Sequence, residues 1–202
     1  LALLYVLVCR CVALLAREPI ADAVCGNPHF PDEQKRLISG TVGDTRVICA
    51  YMPNGQEVGC DKYDYKLRWL DGLAVWVGEE MAKYPKLALC GDYNIAPDDR
   101  DVHDPKRWAD CILVSPPERA AFQRFLGLGL SDSFRLFEQP EKTFSWWDYR
   151  MLGFQKNQGL RIDHVLLSKP LAEKCTAAGV DRAPRKLERP SDHAPVWAEI
   201  GG

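Results

Sequence analysis

Short apolar runs bounded by turn residues predict several buried strands. They occur at residues 12–15, at 46–51, from residue 87 onward, at 162–167 and at 194–200. Runs of this length, with β-branched members and glycine or proline nearby, are typical of strands. The 46–51 run ends in the turn Met52-Pro53-Asn54-Gly55, where proline and Asn-Gly end a strand.

Two other segments repeat their apolar residues at helical spacing. Residues 61–83 predict a long helix, whose apolar stripe we interpret as core: Leu67, Leu70, Ala74, Val77 and Met81. Residues 117–127 predict a second helix with Phe122 and Phe125 facing inward and glycines at its end. A polar loop that contains three prolines, residues 98–117, precedes this helix.

The order of these elements indicates an α/β or α+β domain. Few strands separated by irregular loops favour packed mixed sheets over a Rossmann fold. A length of 202 residues suits one domain with a sizeable core. The chain has neither a GxGxxG motif nor a Walker loop, which argues against a nucleotide cofactor.

Charge is distributed unevenly along the chain. The net charge is −2, yet residues 142–189 carry ten Lys or Arg against five Asp or Glu. The same segment holds four aromatic residues: Trp146, Trp147, Tyr149 and Phe154. Cations mixed with aromatic rings suit a phosphate backbone and an unstacked nucleotide. A solvated face above a small aromatic core is the alternative interpretation.

Eight cysteines are present, and none forms a CxxC pair. Several lie in apolar runs, so we interpret them as reduced, mostly buried thiols of a cytoplasmic protein. Neither a disulfide framework nor a zinc site is expected from this spacing.

The first sixteen residues are apolar apart from Arg10. This segment is shorter than the ~20 residues that a bilayer span needs, and no basic region precedes it as in a signal peptide. A strand at residues 12–15 is the preferred interpretation, and residues 1–11 are left as an unassigned apolar lead.

Polar side chains border three of the predicted strands. Asp163 precedes His164, Asp192 precedes His193, and Asp92 lies two residues before Asn94. Strand ends that carry Asp, Asn and His are places where hydrolases assemble a metal and a general base. A single Asp-His pair or an Asp-x-Asn turn is usually structural, so it is the presence of three clusters that indicates a catalytic site.

Longer motifs around these clusters resemble a known family. They are Tyr-Met-Pro-Asn-Gly at residues 51–55, Gly-Asp-Tyr-Asn-Ile-Ala-Pro at 91–97, Ser-Trp-Trp-Asp-Tyr-Arg at 145–150, Asn-x-Gly-Leu-Arg-Ile-Asp-His at 157–164 and Pro-Ser-Asp-His-Ala-Pro-Val at 190–196. From about residue 12 to its end the chain is similar to exonuclease III, the AP endonuclease branch of the endonuclease/exonuclease/phosphatase superfamily. The resemblance implies a four-layer sandwich of two mixed β-sheets flanked by helices.

The resemblance also implies a role for each site residue. Tyr51 would contact the scissile phosphate, Asp92 would transfer the proton, and Asn94 would donate to a phosphoryl oxygen. Asp163 would orient the catalytic His193, as in a triad without a covalent nucleophile. The metal ligands would be Asp92, Asn94, Asp192 and His193. His164 is expected to pack against the sheet.

For DNA binding the resemblance implies a tryptophan pocket and several arginines. One of Trp146 and Trp147 would line the pocket for an extruded abasic sugar. Arg36, Arg150 and Arg161 would contact backbone phosphates. The expected partner is duplex DNA with abasic sites or 3′ ends, bound by a monomer that does not associate with membranes.

The chain departs from the family pattern near its beginning. The family opens with a strand bearing Asn and then a Gln-Glu pair whose glutamate is a principal magnesium ligand, and neither occurs here. Glu18, Glu33 and Glu57 lie in other contexts. We therefore expect an amino-terminally incomplete domain with weak Mg²⁺ binding.

The function that the sequence favours is a Mg²⁺-dependent DNA-repair nuclease, with Mn²⁺ as the alternative metal. It would cut 5′ to abasic sites and trim 3′ ends of duplex DNA. Two alternatives remain: a catalytically impaired DNA-binding remnant, and a superfamily relative that hydrolyses RNA or a small phosphoester.

Overall fold

A computed structural model of the chain describes residues 5–9, 11–34 and 36–201. The strands are β1 Tyr5–Cys9, β2 Val12–Ala16, β3 Ile20–Cys25, β4 Leu37–Val42, β5 Thr45–Tyr51, β6 Leu87–Asp92, β7 Leu130–Asp132, β8 Trp146–Trp147, β9 Gly159–Leu160, β10 Asp163–Ser168, β11 Cys175–Val180 and β12 Val196–Ile200. The α-helices are α1 Asp61–Lys83, α2 Pro105–Trp108, α3 Pro116–Gly127 and α4 Lys169–Ala172.

A six-stranded mixed sheet with the order β3-β4-β5-β6-β10-β7 forms the centre of the fold. Strands β5 and β6 are parallel, and the other neighbours in this sheet are antiparallel. Residues of α1 and α3 pack with those of β5 and β6 in the largest core cluster. The hairpin β1–β2 packs residues against β4 in a separate cluster.

The expected second sheet is small in the described ranges. Strands β11 and β12 form an antiparallel pair, and β12 contacts β10. The short strands β8 and β9 form another antiparallel pair. The prediction of a mixed sheet flanked by helices is thus confirmed, and the remaining strands within the described ranges form antiparallel pairs.

Helix α1 has the bounds that the sequence predicts, but its buried face is displaced from the predicted stripe. Leu70 and Val77 are buried, while Trp69, Leu73 and Trp76 occupy the centre of the interface. Indole rings bury large apolar areas, so Trp69 and Trp76 contribute much of the buried surface of this helix. Leu67, Ala74 and Met81 lie at the edge of this face, half-buried.

Strand β6 approaches β5 closely at Gly91, one residue before the predicted catalytic Asp92. The φ angle of Gly91 is +135°, and a Cβ atom there would lie 2.0 Å from the carbonyl oxygen of Ala50. Only glycine combines this backbone conformation with this contact. The Gly-Asp step therefore sets how β6 ends beside β5.

The predicted strands and helices all occur, with small differences in bounds. The run at residues 12–15 becomes β2, which is buried on one face only: Leu14 points inward and Leu15 is 64% exposed. Seven strands were not predicted: β1, β3, β4, β7, β8, β9 and β11. The apolar residues of β3, β4, β7 and β11 are interrupted by small, polar or charged ones such as Asp22 in β3. Strands β8 and β9 have two residues each, and β1 lies in the apolar lead that was left unassigned.

No disulfide joins the cysteines within the described ranges, but the prediction that most of them are buried is wrong. Only Cys9 is buried, and three are exposed: Cys11, Cys25 and Cys111. Within the described ranges, no helix has both the length and the apolar character needed to cross a membrane.

Candidate active site

Three of the predicted catalytic residues lie side by side across three adjacent strands. Tyr51 is the last residue of β5 and pairs in register with Asp92, the last residue of β6. Asp92 also pairs with Asp163, the first residue of the antiparallel strand β10. Residues 112 positions apart in the chain, Tyr51 and Asp163, thereby reach the same edge of the sheet.

His193 completes this group from the loop that precedes β12. A β-bridge joins His193 to Trp146, and the amide of Ala194 donates to the carbonyl of Ser145 at 2.7 Å. Nδ1 of the imidazole lies 2.9 Å from Oδ2 of Asp163, and Nε2 lies 4.0 Å from Oδ2 of Asp92. The ring therefore stands between the two carboxylates.

This arrangement displaces the pKa values of both His193 and Asp92. Burial by itself lowers the pKa of His193, but the hydrogen bond and charge of Asp163, then the charges of Asp92 and Asp192, raise it to about 9. Burial, reinforced by the negative charge of Asp163, raises the pKa of Asp92 to about 7. At neutral pH His193 is thus a cation, while Asp92 can exchange a proton.

Asn94 holds Asp92 in place through the turn that follows β6. Its backbone amide donates to Oδ1 of Asp92 at 2.8 Å, and its Nδ2 donates to Oδ2 at 3.1 Å. Nδ2 also donates to the carbonyl of Met52, and Oδ1 accepts from Nδ2 of Asn54. Asn94 adopts φ +50°, a left-handed conformation that Asn tolerates. Its donation to a phosphoryl oxygen stays a prediction.

These residues open onto a cleft of about 1230 Å³. The predicted residues that line it are Arg36, Tyr51, Asp92, Asn94, Trp146, Arg150, Asp192 and His193. Trp146 faces the cleft, and its Nε1 donates to Oδ2 of Asp192 at 3.0 Å. Asp163 lies behind His193, where it lines a smaller cavity instead.

Arg36 and Arg150 lie where a ligand in the cleft can reach them. The guanidinium of Arg36 lies 5.1 Å from the centre of the Tyr51 ring, and its buried Nε has no hydrogen-bond partner among the described residues. Arg150 is exposed and lines both the main cleft and a neighbouring cavity of about 510 Å³. Both positions are compatible with phosphate contacts.

Two of the residues expected to bind DNA are instead buried in the fold. Trp147 is 0% exposed and packs edge-to-face on Phe154, with its Nε1 bonded to Asn157. Arg161 is 1% exposed and pairs with Asp101 and Asp132. The predicted DNA contacts of Trp147 and Arg161 are wrong, because these side chains are already bound by the protein.

His164 packs against the sheet, as expected. It is 1% exposed, and its ring lies between Tyr93 and Phe122. Burial, aided by the charge of Arg161, lowers the pKa of His164 to about 3. Nε2 lies 2.9 Å from the carbonyl oxygen of Ile95, so the neutral ring donates from Nε2 and accepts from Arg161 at Nδ1.

Sequence reasoning missed two residues that shape the site. Ser145 is fully buried, and its Oγ accepts from the amides of Ile162 and Asp163 at 3.0 Å each. It thereby fastens the start of β10 to the segment that carries Trp146. Asn54 orients the Asn94 amide. Ser145 lies in the motif at residues 145–150 and Asn54 in the motif at 51–55. Membership of these motifs was the only feature of the sequence that pointed to either residue.

The side chains at this edge of the sheet fit a hard divalent cation. Asp92, Asp163 and His193 have ligand atoms within 4.8 Å of one another. Burial and then the negative charge of Asp163 raise the pKa of Asp92, and a cation would compensate that charge. Nδ1 of His193 is bound to Asp163, and Nε2 points toward Asp92, so the role of His193 as a metal ligand stays a prediction. The residues that would hold the cation are Asp92, Asn94 and Asp192, all oxygen donors on the cleft.

Comparison with known proteins identifies the family of this chain. The model of the Endonuclease/Exonuclease/phosphatase family matches residues 10–193. The exodeoxyribonuclease III of Haemophilus influenzae is 40% identical over 203 aligned residues, which cover 94% of this chain and 76% of that protein.

Two solved structures are also similar. The 3′ phosphatase NExo of Neisseria, bound to a product DNA hairpin, is 43% identical with a TM-score of 0.92, over 94% of this chain and 74% of that one. An AP endonuclease from Archaeoglobus fulgidus is 33% identical with a TM-score of 0.88, over 93% and 74% of the two chains.

The chain belongs to the endonuclease/exonuclease/phosphatase family. Within it, the chain is of the exodeoxyribonuclease III and AP endonuclease type, a group of hydrolytic DNA-repair nucleases. It spans about three quarters of the length of these relatives: 76% of the Haemophilus protein and 74% of each solved chain.

Proposed function

We propose that the protein hydrolyses phosphodiesters of duplex DNA, cutting 5′ to abasic sites and trimming 3′ ends, with Mg²⁺ as the metal. The observation that supports this most strongly is the row of Tyr51, Asp92 and Asp163 with His193 set between the two carboxylates. In this arrangement the proton-exchanging carboxylate of Asp92 and the cationic imidazole of His193 line the same cleft.

Each of these side chains has a role that follows from its charge. His193 is cationic at neutral pH and would bind a phosphoryl oxygen, whose negative charge grows during hydrolysis. Asp163 keeps that imidazole charged and oriented. Asp92, with a pKa of about 7, would accept the proton of the attacking water or supply one to the leaving oxygen. Tyr51 reaches the cleft and would contact the phosphate.

A divalent cation held by Asp92, Asn94 and Asp192 would supply charge neutralisation at the phosphoryl group and a more acidic bound water. Mg²⁺ is the proposed metal because all three side chains offer oxygen atoms.

The surface beside the cleft supports binding of a nucleic-acid strand. The cavity next to it is lined by Arg107, Trp108, Arg150 and Lys156 together with Trp146. Cations that neutralise phosphates and rings on which bases stack are the usual components of such a surface. We propose that this cavity receives the DNA that flanks the scissile bond.

The proposed compartment is the cytoplasm, because eight cysteines with no disulfide in the described part of the chain suit a reducing environment.

The test is cleavage of an end-labelled duplex that contains one abasic site, in Mg²⁺ and in EDTA. Because weak Mg²⁺ binding is expected without the family glutamate, Mg²⁺ is supplied in large excess. We then expect a nick 5′ to the abasic site in Mg²⁺ and none in EDTA. Equal amounts of single-stranded RNA and of a phospholipid headgroup ester serve as competing substrates. Preferential hydrolysis of either, or DNA binding without a nick, would contradict the proposal.

A further inference from the structure

A fully buried lysine lies directly behind the site. Lys66, in the second turn of α1, is 0% exposed, and its Nζ donates to the carbonyl oxygens of Asn54 at 3.1 Å and Asn94 at 2.7 Å. Its third bond goes to Oε1 of Glu118, which is also 0% exposed. An ammonium group has three hydrogens, so each one of them has an acceptor.

The two carbonyls belong to the turns that carry the site. Asn54 lies in the turn after β5, and Asn94 lies in the turn after β6, two residues beyond Asp92. The same asparagines are joined by the bond from Nδ2 of Asn54 to Oδ1 of Asn94. Lys66 therefore links both turns to α1 and to each other through hydrogen bonds from one ammonium group.

Glu118 holds the other side of this network. Its Oε2 accepts from the backbone amide of Ser115 at 3.1 Å and from the Ser115 hydroxyl at 2.6 Å, as the capping box of α3. The Ser115 hydroxyl accepts in turn from Tyr63 at 2.7 Å, again from α1. The network is closed, because both carboxylate oxygens of Glu118 are occupied.

We propose that Lys66 is a positioning residue for hydrolysis. Its three bonds hold the backbone of Asn94, and through the Asn94 amide and Nδ2 they hold Asp92 in reach of the cleft. A purely structural pair could use carbonyls anywhere in the fold, whereas both carbonyls bound by Lys66 lie in turns that line the cleft. This inference rests on the proposed nuclease function.

The test uses a paired substitution that removes the ties without leaving a buried charge. In Lys66→Met/Glu118→Gln, the methionine fills the space of the lysine stem, and the glutamine retains the α3 cap. Replacing both partners of a buried ion pair by neutral groups is tolerated far better than removing one. Cleavage of the abasic duplex is measured as kcat and KM, with the melting temperature as the check on folding.

The chain offers a matched control. Arg46 and Glu80 form a second buried pair, with side chains 2% and 5% exposed, and Arg46 also binds the carbonyl of Asp22. Arg46 pairs in register with Leu87, at the opposite end of β5 and β6 from the site. Arg46→Met/Glu80→Gln thus removes equivalent chemistry far from the cleft.

We expect kcat to fall at least ~10-fold in the Lys66 variant with KM within ~3-fold, since small displacements of a reacting group cost rate rather than binding. The Arg46 variant should keep both values within ~2-fold. Equal effects of the two variants on kcat, or an unchanged kcat in the Lys66 variant, would overturn the proposal.

Amide hydrogen exchange separates this inference from the proposed function. The amide of Asn94 donates to Asp92 in the folded protein, so it reports the tie without any catalysis. We expect its exchange to accelerate at least ~10-fold in the Lys66 variant and to stay unchanged in the Arg46 variant. A wild-type protein that does not nick DNA would refute the proposed function, and exchange alone would then decide whether Lys66 positions Asn94. Unaltered exchange would overturn the positioning role.

Discussion

Nδ1 of His193 and Oδ2 of Asp163 lie 2.9 Å apart, although the two residues come from different strand ends and are separated by thirty positions in the chain. The pairing keeps a half-buried imidazole charged at neutral pH, against the effect of burial. It also aims Nε2 toward Asp92 and the cleft. The catalytic character of His193 therefore depends on a residue that itself faces away from the main cleft.

Substitution of Asp163 by Asn should remove this charge. The pKa of His193, about 9 in the folded protein, should fall by ~1–3 units because an adjacent opposite charge is lost. The raised pKa stabilises the fold fully below the unfolded value of about 6.5 and loses that effect as pH rises through about 9. Asp163→Asn should therefore lower stability most below pH 6.5. An NMR titration of the imidazole measures the shift, with His103 as the internal control. An unchanged His193 titration would contradict the prediction.

Substitution of Asp92 by Asn should abolish proton exchange with little loss of binding. We expect cleavage to fall at least ~10²-fold, the scale of acid–base catalysis. Affinity for duplex DNA should stay the same or rise, because a negative charge is removed from the cleft. Asp61→Asn is the control. Asp61 lines the same cleft at the start of α1, and its substitution by Asn removes one negative charge, as Asp92→Asn does. Near-native turnover of Asp92→Asn would exclude Asp92 as the proton-transfer residue.

Arg150 should account for part of the salt dependence of DNA binding. Each phosphate that a cation neutralises contributes a slope of roughly −0.9 to log K against log salt. Arg150→Gln should therefore make the slope shallower by ~1. The control is Lys169→Gln, which removes an 83% exposed cation just after β10, at the strand end opposite Asp163. Equal changes in slope for the two variants would place the DNA on another surface.

His164 should make the fold sensitive to acid. Its pKa is about 3 when folded and about 6.5 when unfolded. The contribution of His164 to the free energy of unfolding is fully present above pH 6.5. It declines as pH falls toward 3, because in that range only the unfolded chain binds the proton. The slope attributable to this one group approaches ~1.4 kcal/mol per pH unit. Urea unfolding from pH 7 to 4 should show a shallower decline for His164→Gln, and the wild-type decline for His103→Gln. Parallel curves for wild type and His164→Gln would refute this.

The segments that the sequence specified well are those whose information is local. The bounds of α1 follow from helical spacing and from Pro85, two residues after its end, and β5 ends just before the turn that contains Pro53 and Asn54. The motifs around Asp92, Asp163 and His193 were also recognisable as chemistry, because each places a titratable side chain at the end of an apolar run.

The tertiary structure decided which of those side chains meet and which are already bound by other groups. Arginine and tryptophan are residue types that often contact DNA. In the fold, however, Asp101 and Asp132 bind Arg161, and Phe154 packs against the indole of Trp147. No local pattern records such partners, which are 29 to 60 positions away from Arg161.

The site itself shows the same division. The sequence shows that Tyr51, Asp92 and Asp163 each lie at the end of an apolar run. Their alignment, however, arises from the parallel pairing of β5 with β6 and the antiparallel pairing of β6 with β10, which bring all three residues to one edge of the sheet. Lys66, in the second turn of an amphipathic helix, had no distinguishing signal in the sequence. Its function depends on two turns and a second helix that converge on it, and only the packed fold brings those groups together.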